Sequence, residues 1–216
     1  MSDYDSSYRS LLKATRPQLD LGIENHRYAL LKWLNIWGCR QFAKKYHELA
    51  SNEIKDWYKK HSEYLFDKDR LLMYLTDNDI NSVNNIYSDL ASRTASKRKL
   101  RNKLSKVKIG PTGTAKILFA LRPNTFIPWD QPIRVKLELD GTAVSYCNYL
   151  RKVRNHLNEL NKDCIRNGIE LNELPRLLNR SRSSLAKLID EYYWVTITNG
   201  CQAPGEKELQ RWVSWQ

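Results

Sequence analysis

The chain has 216 residues, 41% of them hydrophobic, with seven Trp and twelve Tyr and a formal net charge of +12. That length and aromatic content allow a buried core and argue against a disordered chain. No apolar run approaches the roughly 18 residues needed to span a bilayer, and the first residues lack the basic-then-apolar pattern of a secretory signal. A cytoplasmic protein is therefore expected. The strong positive charge favours nucleic acid as the partner over an anionic membrane surface.

The metal-ligating residue types are dispersed along the chain. The four cysteines show no C-x-x-C spacing, and the four histidines are equally scattered. Zinc and iron–sulfur sites need ligands at closer spacings. The sequence therefore predicts no metal site and no cofactor.

The first half of the chain is predicted to be helical after a polar, loosely held N-terminal segment over residues 1–20. Apolar and aromatic residues recur at three-to-four spacing, and two of the segments begin at an Asp, as capped helices do. The predicted helices cover 24–48, 52–66, 69–75 and 79–90.

The most basic part of the chain follows. Residues 97–108 place Leu100, Leu104 and Val107 at helical spacing among Lys and Arg, which predicts a basic helix. Two glycines flank Pro111 in the segment 109–113, which predicts a tight turn. A second helix over 114–121 is stopped by Pro123.

The rest of the chain is also predicted to be mainly helical, with one ambiguous stretch. Residues 133–139 alternate apolar and polar and end at Asp140-Gly141, which alone indicates a strand and a hairpin turn. Helices are predicted over 144–160 and, around an Arg/Ser-rich turn at 180–184, within 175–193. A short strand is predicted at 195–198. The turn at 180–184 either grips a phosphate backbone or is the solvated start of a helix.

Asp130 is an electrostatic anomaly. From Leu90 to Trp129 there are ten Lys or Arg and no acidic residue, and the next residue is Asp130. A carboxylate there repels the polyanion that its surroundings attract, so a specific task is expected of it. One interpretation is a helix N-cap, with Pro132 in the first helical turn. A catalytic role is the other, and the two are compatible because a cap holds the carboxylate rigid.

A helix, a Gly-bracketed turn and a second helix form a phosphate-binding device. The N–H groups of the turn and of the helix N-terminus point at the anion, and Lys and Arg supply charge. A helix connection with a solvated charged face is the alternative. The predicted DNA-binding residues are Lys97, Arg98, Lys99, Arg101, Lys108, Gly110, Pro111, Thr112, Gly113, Thr114 and Lys116.

The segment Ile109-Gly110-Pro111-Thr112-Gly113-Thr114-Ala115, with an Asp about fifteen residues later, resembles the helix–hairpin–helix DNA glycosylase superfamily. The resemblance covers about 106–134 and has one more residue in the hairpin than the usual form. It implies an all-α fold of two helical lobes, with the helix–hairpin–helix at about 97–121 in one lobe over 50–141. The other lobe would be discontinuous, combining 21–49 with 142–216. It also favours a helix after Asp130.

The resemblance implies a role for Asp130 as the catalytic carboxylate. It would stabilise the oxocarbenium-like transition state and position the attacking water. Members of the superfamily that also cut the strand carry a nucleophilic lysine just before the Thr-Ala of the hairpin, and here that place is Gly113. Base removal without an efficient lyase step is expected, acting as a monomer on double-stranded DNA. Damaged bases and hypermodified phage bases are both handled within the superfamily.

Base excision requires a pocket that receives the flipped base, and aromatic side chains suit its walls. The candidates are Trp33, Trp37, Trp129, Tyr146 and Tyr149, with Trp194 in addition and Asn35, Arg40 and Gln41 as polar readers. Aromatics at helical spacing equally fit a core.

Two rival functions stay open: a non-catalytic DNA-binding module and an RNA-binding or RNA-processing protein.

Overall fold

A computed structural model of the chain describes residues 2–100, 103–181, 183–202 and 205. It is mostly helical, as the all-α prediction requires, and its described part contains one two-stranded antiparallel sheet. The helices are α1 Ser2–Ala14, α2 Glu24–Ile36, α3 His47–His61, α4 Asp77–Ser92, α5 Gly110–Leu121, α6 Gln131–Lys136, α7 Ala143–Arg166, α8 Leu174–Leu177 and α9 Leu185–Tyr193. The strands are β1 Thr94–Leu100 and β2 Lys103–Lys108.

The N-terminal segment belongs to the core. Helix α1 packs against α2 and buries Tyr8 and Leu11. The Ser7 hydroxyl accepts a 3.0 Å hydrogen bond from the Trp37 indole N–H. The expectation of a loosely held segment at 1–20 was wrong for the described residues, because Tyr8 and Leu11 lie three apart on one helix face.

Several helix boundaries in the first half of the chain differ from those predicted from the apolar periodicity. The helix predicted over 24–48 ends at Ile36, and Gly38 follows with a φ of +79° that a glycine adopts without strain. Helix α4 begins after Thr76, which forms a capping box with Asp79. The helix predicted over 69–75 is only a 3-10 turn at Leu72–Tyr74.

The basic helix predicted over 97–108 is instead a β-hairpin. β1 pairs with β2 in an antiparallel register that places Lys97 opposite Lys106 and Leu100 opposite Lys103. A helix would place many of these like charges three or four residues apart on one surface, which is destabilising. Two extended strands distribute the same charges over two faces at more than twice the rise per residue, although Lys97 and Lys106 still face each other across the ladder.

Helix α5 begins earlier than the sequence suggests. The predicted turn at 109–113 is the first part of this helix, entered through Gly110 with a φ of +69°. Gly113 is buried inside the helix, and a Cβ there would lie 2.7 Å from Gln41 Nε2. The glycines therefore permit helix entry and close packing rather than a free-standing turn.

The β-hairpin leaves and rejoins the helical body at one point. The Ile109 N–H donates to the Arg93 carbonyl at 2.8 Å, so the residues on either side of the hairpin are hydrogen-bonded to each other. Helices α4 and α5, which flank it, pack together, and α3 packs against β1. The helices α4 and α5 are thus a contiguous pair with a β-hairpin inserted between them.

The segment after Asp130 is helical. Helix α6 covers Gln131–Lys136, so the alternation of residues 133–139 does not form a strand. The strand predicted at 195–198 was also wrong, because Trp194–Thr198 forms a π-helical turn that continues α9. That turn packs against α6.

One core connects most of the elements. Buried apolar side chains from Tyr8 to Tyr193 form a single cluster, so the core crosses the predicted boundaries near residues 49 and 142. The division into two lobes stays a prediction. None of the helices in the described ranges has the length and apolarity to cross a membrane.

Candidate active site

A cavity of about 410 Å³ lies where α5, the Asp130 loop and α9 meet. Its volume falls within the range of small-molecule sites. Three tryptophans, four charged side chains besides Asp130 and several small or polar residues line it. The lining residues are Trp37, Gly38, Gln41, Thr112, Lys116, Trp129, Asp130, Gln131, Lys187, Asp190, Glu191 and Trp194.

The Asp130 carboxylate is held at both oxygens in the wall of this cavity. Oδ1 accepts a 3.0 Å hydrogen bond from the Ile133 N–H, which makes Asp130 the N-cap of α6 as the sequence predicts. Oδ2 accepts a 3.0 Å hydrogen bond from the Thr198 hydroxyl. A carboxylate has about four acceptor positions, so two bonds orient the group and leave capacity for a water molecule.

The loop that carries Asp130 is fixed by buried aromatic side chains. The Pro111 carbonyl accepts hydrogen bonds from the Tyr87 hydroxyl at 3.1 Å and from the Trp129 indole at 3.2 Å. Tyr146 donates to the Ile127 carbonyl at 3.0 Å, and Tyr149 donates to the Pro128 carbonyl at 3.4 Å. These bonds connect the start of α5 and helix α7 to the Asp130 loop, so the cavity wall is rigid.

The predicted aromatic pocket is only partly assembled. Trp37 and Trp129 line the cavity, as does Trp194. Trp33, Tyr146 and Tyr149 are buried in the core and do not line it. Trp33 packs on Trp37 with ring centroids 4.4 Å apart, and the two tyrosines support the Asp130 loop. Helical spacing cannot distinguish an aromatic side chain that lines the cavity from one in the core, because both face the interior of the protein.

Of the predicted polar readers, only Gln41 lines the cavity, and its amide donates to the Ile109 carbonyl at 2.8 Å.

Helix α9 contributes a charged wall that the sequence analysis missed. Lys187, Asp190, Glu191 and Trp194 follow the i, i+3, i+4, i+7 pattern of one helix face, and this pattern was the signal available in the sequence. The Lys187 ammonium lies 2.9 Å from Glu191 and 3.5 Å from Asp190, with its side chain 6% exposed. Burial raises the pKa of Asp190 to about 6, against the opposing effect of Lys187 and Lys116.

Two lysines flank Trp37. The Lys116 ammonium donates to the Trp37 carbonyl and lies 5.6 Å from the centre of its ring. The Lys187 ammonium lies 5.0 Å from the same ring, close enough for a cation–π interaction. Lys116, predicted to bind phosphate at the surface, therefore points into the cavity.

The other predicted phosphate-binding residues fall into two groups. At the start of α5, Gly110, Pro111 and Thr112 are half-buried, whereas Gly113 and Thr114 are buried. The Thr114 hydroxyl has no hydrogen-bond partner in the described part of the structure and does not reach the surface. On the β-hairpin, Arg98, Lys99 and Lys108 are exposed and Lys97 is half-buried, while Arg101 lies outside the described residues.

A second, basic groove of about 720 Å³ adjoins the cavity. It lies between α1 and the segment before α9, and Lys187 lines both it and the cavity. No acidic residue is among the described residues that line it. Its cationic lining is Arg9, Lys13, Arg16, Arg180 and Lys187.

Arg180 belongs to the Arg/Ser-rich turn that was a candidate for backbone binding. Its guanidinium is 2.6 Å from Glu191, a wall residue of the cavity. The end of the turn is also the start of a helix, as the alternative interpretation predicts, because Ser184 caps α9. The turn thus begins α9 and is attached to the cavity wall through Arg180.

Comparison with protein-family models, with curated proteins and with solved structures finds no match to this chain.

Proposed function

We propose that this protein is a monofunctional DNA glycosylase that hydrolyses the N-glycosidic bond of a flipped-out damaged or modified base. The observation that carries the proposal is the Asp130 carboxylate, oriented by Ile133 and Thr198 in the wall of a tryptophan-lined cavity. An isolated N-cap would serve its helix equally well at a solvent-exposed helix start. Its position in a cavity wall favours a chemical task.

The proposed reaction needs one fixed carboxylate and a water molecule. As the bond between the sugar C1′ and the base nitrogen breaks, its electron pair leaves with the base and positive charge develops on the sugar. The Asp130 carboxylate stabilises that charge and accepts the proton lost by the water that adds to C1′. The hydrogen bonds at both of its oxygens hold it in place before the reaction, so little reorganisation is needed in the transition state.

The cavity suits an extruded base. Trp194, which is half-buried, and Trp37, which is 5% exposed, offer aromatic surface, whereas Trp129 is fully buried and supports the wall. Lys116, Lys187, Asp190 and Glu191 offer donors and acceptors in the same cavity. Flipped bases are recognised by this combination of stacking and hydrogen bonds. A damaged or hypermodified base is the substrate class that we propose, with double-stranded DNA as the partner of a cytoplasmic monomer.

The helix pair α4–α5 supports the family resemblance in an altered form. The basic segment at 97–108 is not its first helix. Instead, α4 and α5 are the packed pair, and the hydrogen bond between Arg93 and Ile109 closes the connection beneath the inserted β-hairpin. In this interpretation the N-terminus of α5, with Thr112 in the cavity wall, faces the DNA backbone.

Strand cleavage is not part of the proposed reaction. The family's nucleophilic lysine corresponds to Gly113, where even a Cβ would lie 2.7 Å from Gln41 Nε2. Lys116 lies after the Thr-Ala of the hairpin rather than before it, and its ammonium donates a hydrogen bond to the Trp37 carbonyl. The expected product is therefore a free base and an abasic site in an intact strand.

The test is incubation of the full chain with a panel of damaged, deaminated and phage genomic DNAs, with mass spectrometry of released bases. On the DNA that responds, Asp130→Asn should lower the single-turnover rate by roughly 10²–10³-fold. Asn also caps helices, so this variant should stay folded and still bind DNA.

Asp140→Asn is the matched control, because Asp140 bonds to Thr142 and Ser145 at the start of α7 and does not line the cavity. It should release the base at the wild-type rate. Equal rates for wild type and Asp130→Asn would refute the catalytic role. Tight DNA binding without release from any DNA, together with higher affinity of Asp130→Asn, would instead support the non-catalytic binding module.

A further inference from the structure

The β-hairpin is cationic on both faces. Residues that pair across an antiparallel ladder point to the same face, and successive residues alternate. One face therefore carries Lys97, Lys99 and Lys106, and the opposite face carries Arg98 and Lys103. A hairpin that contacts a single phosphate backbone would need cationic side chains on one face only.

These cationic residues contribute little to the stability of the hairpin itself. Lys97 and Lys106 are direct cross-strand partners, and like charges in that position are destabilising. Arg98, Lys99, Lys103 and Lys106 are exposed, and no ion pair involves them within the described ranges. Leu104, on the same face as Lys106, is 61% exposed. The arrangement lowers the stability of the free hairpin unless an anion lies on each side.

The base of the hairpin is anchored in the protein, in contrast to its outer part. Thr94, Ala95 and Ser96 are buried, and α3 packs against β1. Arg93, just before the hairpin, is held by Asp89 at 3.0 Å and by Glu53 at 3.8 Å. The charged outer half is thus a projection on a rigid base.

We infer that the outer half of the hairpin enters the major groove of duplex DNA, with its two cationic faces toward the two phosphate backbones. This inference depends on the proposed function for the identity of the partner. The major groove, roughly 12 Å wide, admits a two-stranded β-ribbon, whereas the deep, narrow major groove of duplex RNA does not. The four residues of β1 beyond the buried base extend roughly 13 Å, which exceeds the roughly 8.5 Å depth of the major groove, so the hairpin can reach into the groove while α5 faces the backbone.

The experiment uses undamaged duplex DNA, so it needs no base release and can fail independently of the glycosylase proposal. The variant Lys97→Gln/Arg98→Gln/Lys106→Gln removes charge from both faces and also removes the Lys97–Lys106 repulsion, so it should fold at least as well as wild type. It should bind at least tenfold more weakly at 0.15 M salt. The slope of log Kd against log salt should fall by about 3, roughly one for each phosphate that the variant no longer neutralises.

The matched control is Lys152→Gln/Lys162→Gln/Arg166→Gln, which removes three exposed charges from α7. It should bind DNA within about twofold of wild type, because the inference places this surface away from DNA. An equal decrease in affinity for both triple variants would mean that net charge alone governs binding and would overturn the inference.

A separate experiment tests whether the hairpin lies in the major groove. Methylation of guanine N7 by dimethyl sulfate reports the major groove, where N7 lies. Bound wild-type protein should protect guanines that become reactive in a variant lacking residues 97–106, with Ser96 and Val107 joined by an Asn-Gly turn. These two residues are cross-strand partners, so the shortened hairpin can close. Unchanged protection, equal competition by duplex RNA, or preferential binding to anionic vesicles would each overturn the inference.

Discussion

Asp190 is the carboxylate of the cavity whose ionisation the fold opposes. Burial raises its pKa to about 6 from an ordinary value of 3.8, although Lys187 and Lys116 act in the opposite direction. Because the folded-state pKa lies above the unfolded one, the cost of ionising Asp190 is absent below about pH 4. It grows as pH rises toward 6 and is complete above that.

Asp190→Asn should therefore stabilise the protein at pH 8 and leave its stability nearly unchanged at pH 4. The gain at pH 8 is at most roughly 3 kcal/mol, because a shift of about two pKa units corresponds to that much free energy. Urea unfolding at the two pH values measures it, with Asp163→Asn on the exposed face of α7 as the control. An equal change at both pH values would contradict the assignment of the cost to ionisation. Retention of a costly carboxylate in the cavity wall is consistent with a role in substrate recognition.

At the scale of elements, Asp89 connects α3, α4 and the base of the hairpin. Its carboxylate accepts hydrogen bonds from Lys60 at 3.0 Å, from His61 at 2.8 Å and from Arg93 at 3.0 Å. Burial alone would raise the pKa of Asp89, but the hydrogen bonds from Arg93, His61 and Lys60 hold it well below 3.8. This group therefore stabilises the fold above about pH 4 and loses that contribution as pH falls further.

Asp89→Asn should lower the free energy of unfolding by roughly 1–3 kcal/mol at pH 7, the usual cost of losing hydrogen bonds to a charged group. The difference from wild type should shrink at pH 3, where the wild-type contribution is itself being lost. Chemical denaturation at both pH values checks this, with the exposed Asp56→Asn on α3 as the control. A destabilisation that is the same at pH 3 would show that ionisation of Asp89 contributes nothing.

Element types were predictable from sequence where one physical signal dominated. The apolar periodicity of α7 led to the correct helix. For α6, the Asp130 cap and the alternation of residues 133–139 left helix and strand both open, and the resemblance to the glycosylase superfamily favoured the helix. For the hairpin at 94–108, Leu100, Leu104 and Val107 also fit a helical spacing, so apolar periodicity predicts a helix there, whereas the repulsion among its lysines disfavours one. Register and pairing are non-local, so no short window of sequence contains them.

At the scale of the whole molecule, the site depends on long-range contacts. The cavity brings together Trp37, Asp130 and Lys187, which are separated by many tens of residues. The sequence indicated Asp130 through its isolated charge and Trp37 through its residue type. It did not indicate that Thr198 would bond to Asp130, because that contact requires the π-helical turn after α9 to pack against α6.

Two cationic surfaces, the hairpin and the basic groove between α1 and the Arg180 turn, belong to distant parts of the chain. If a single duplex contacts both while a base occupies the cavity, each surface releases its own counterions on binding. Their contributions to the salt dependence should then add, because well-separated sites act independently. Contact with only one of them at a time would instead let each surface replace the other, so each set of substitutions alone would have a small effect and the combined variant an effect larger than the sum.

The test is the triple variant Arg9→Gln/Lys13→Gln/Arg16→Gln, three exposed residues of the groove, alone and combined with the hairpin triple. The groove variant should weaken duplex binding and reduce the salt slope by about 2 to 3, leaving the single-turnover rate at saturating protein unchanged because Asp130 is untouched. Combined, the two sets should reduce the slope by the sum of their separate effects, measured by fluorescence anisotropy over a salt series. A combined slope no smaller than that of the hairpin variant alone would mean that the groove residues do not contact DNA.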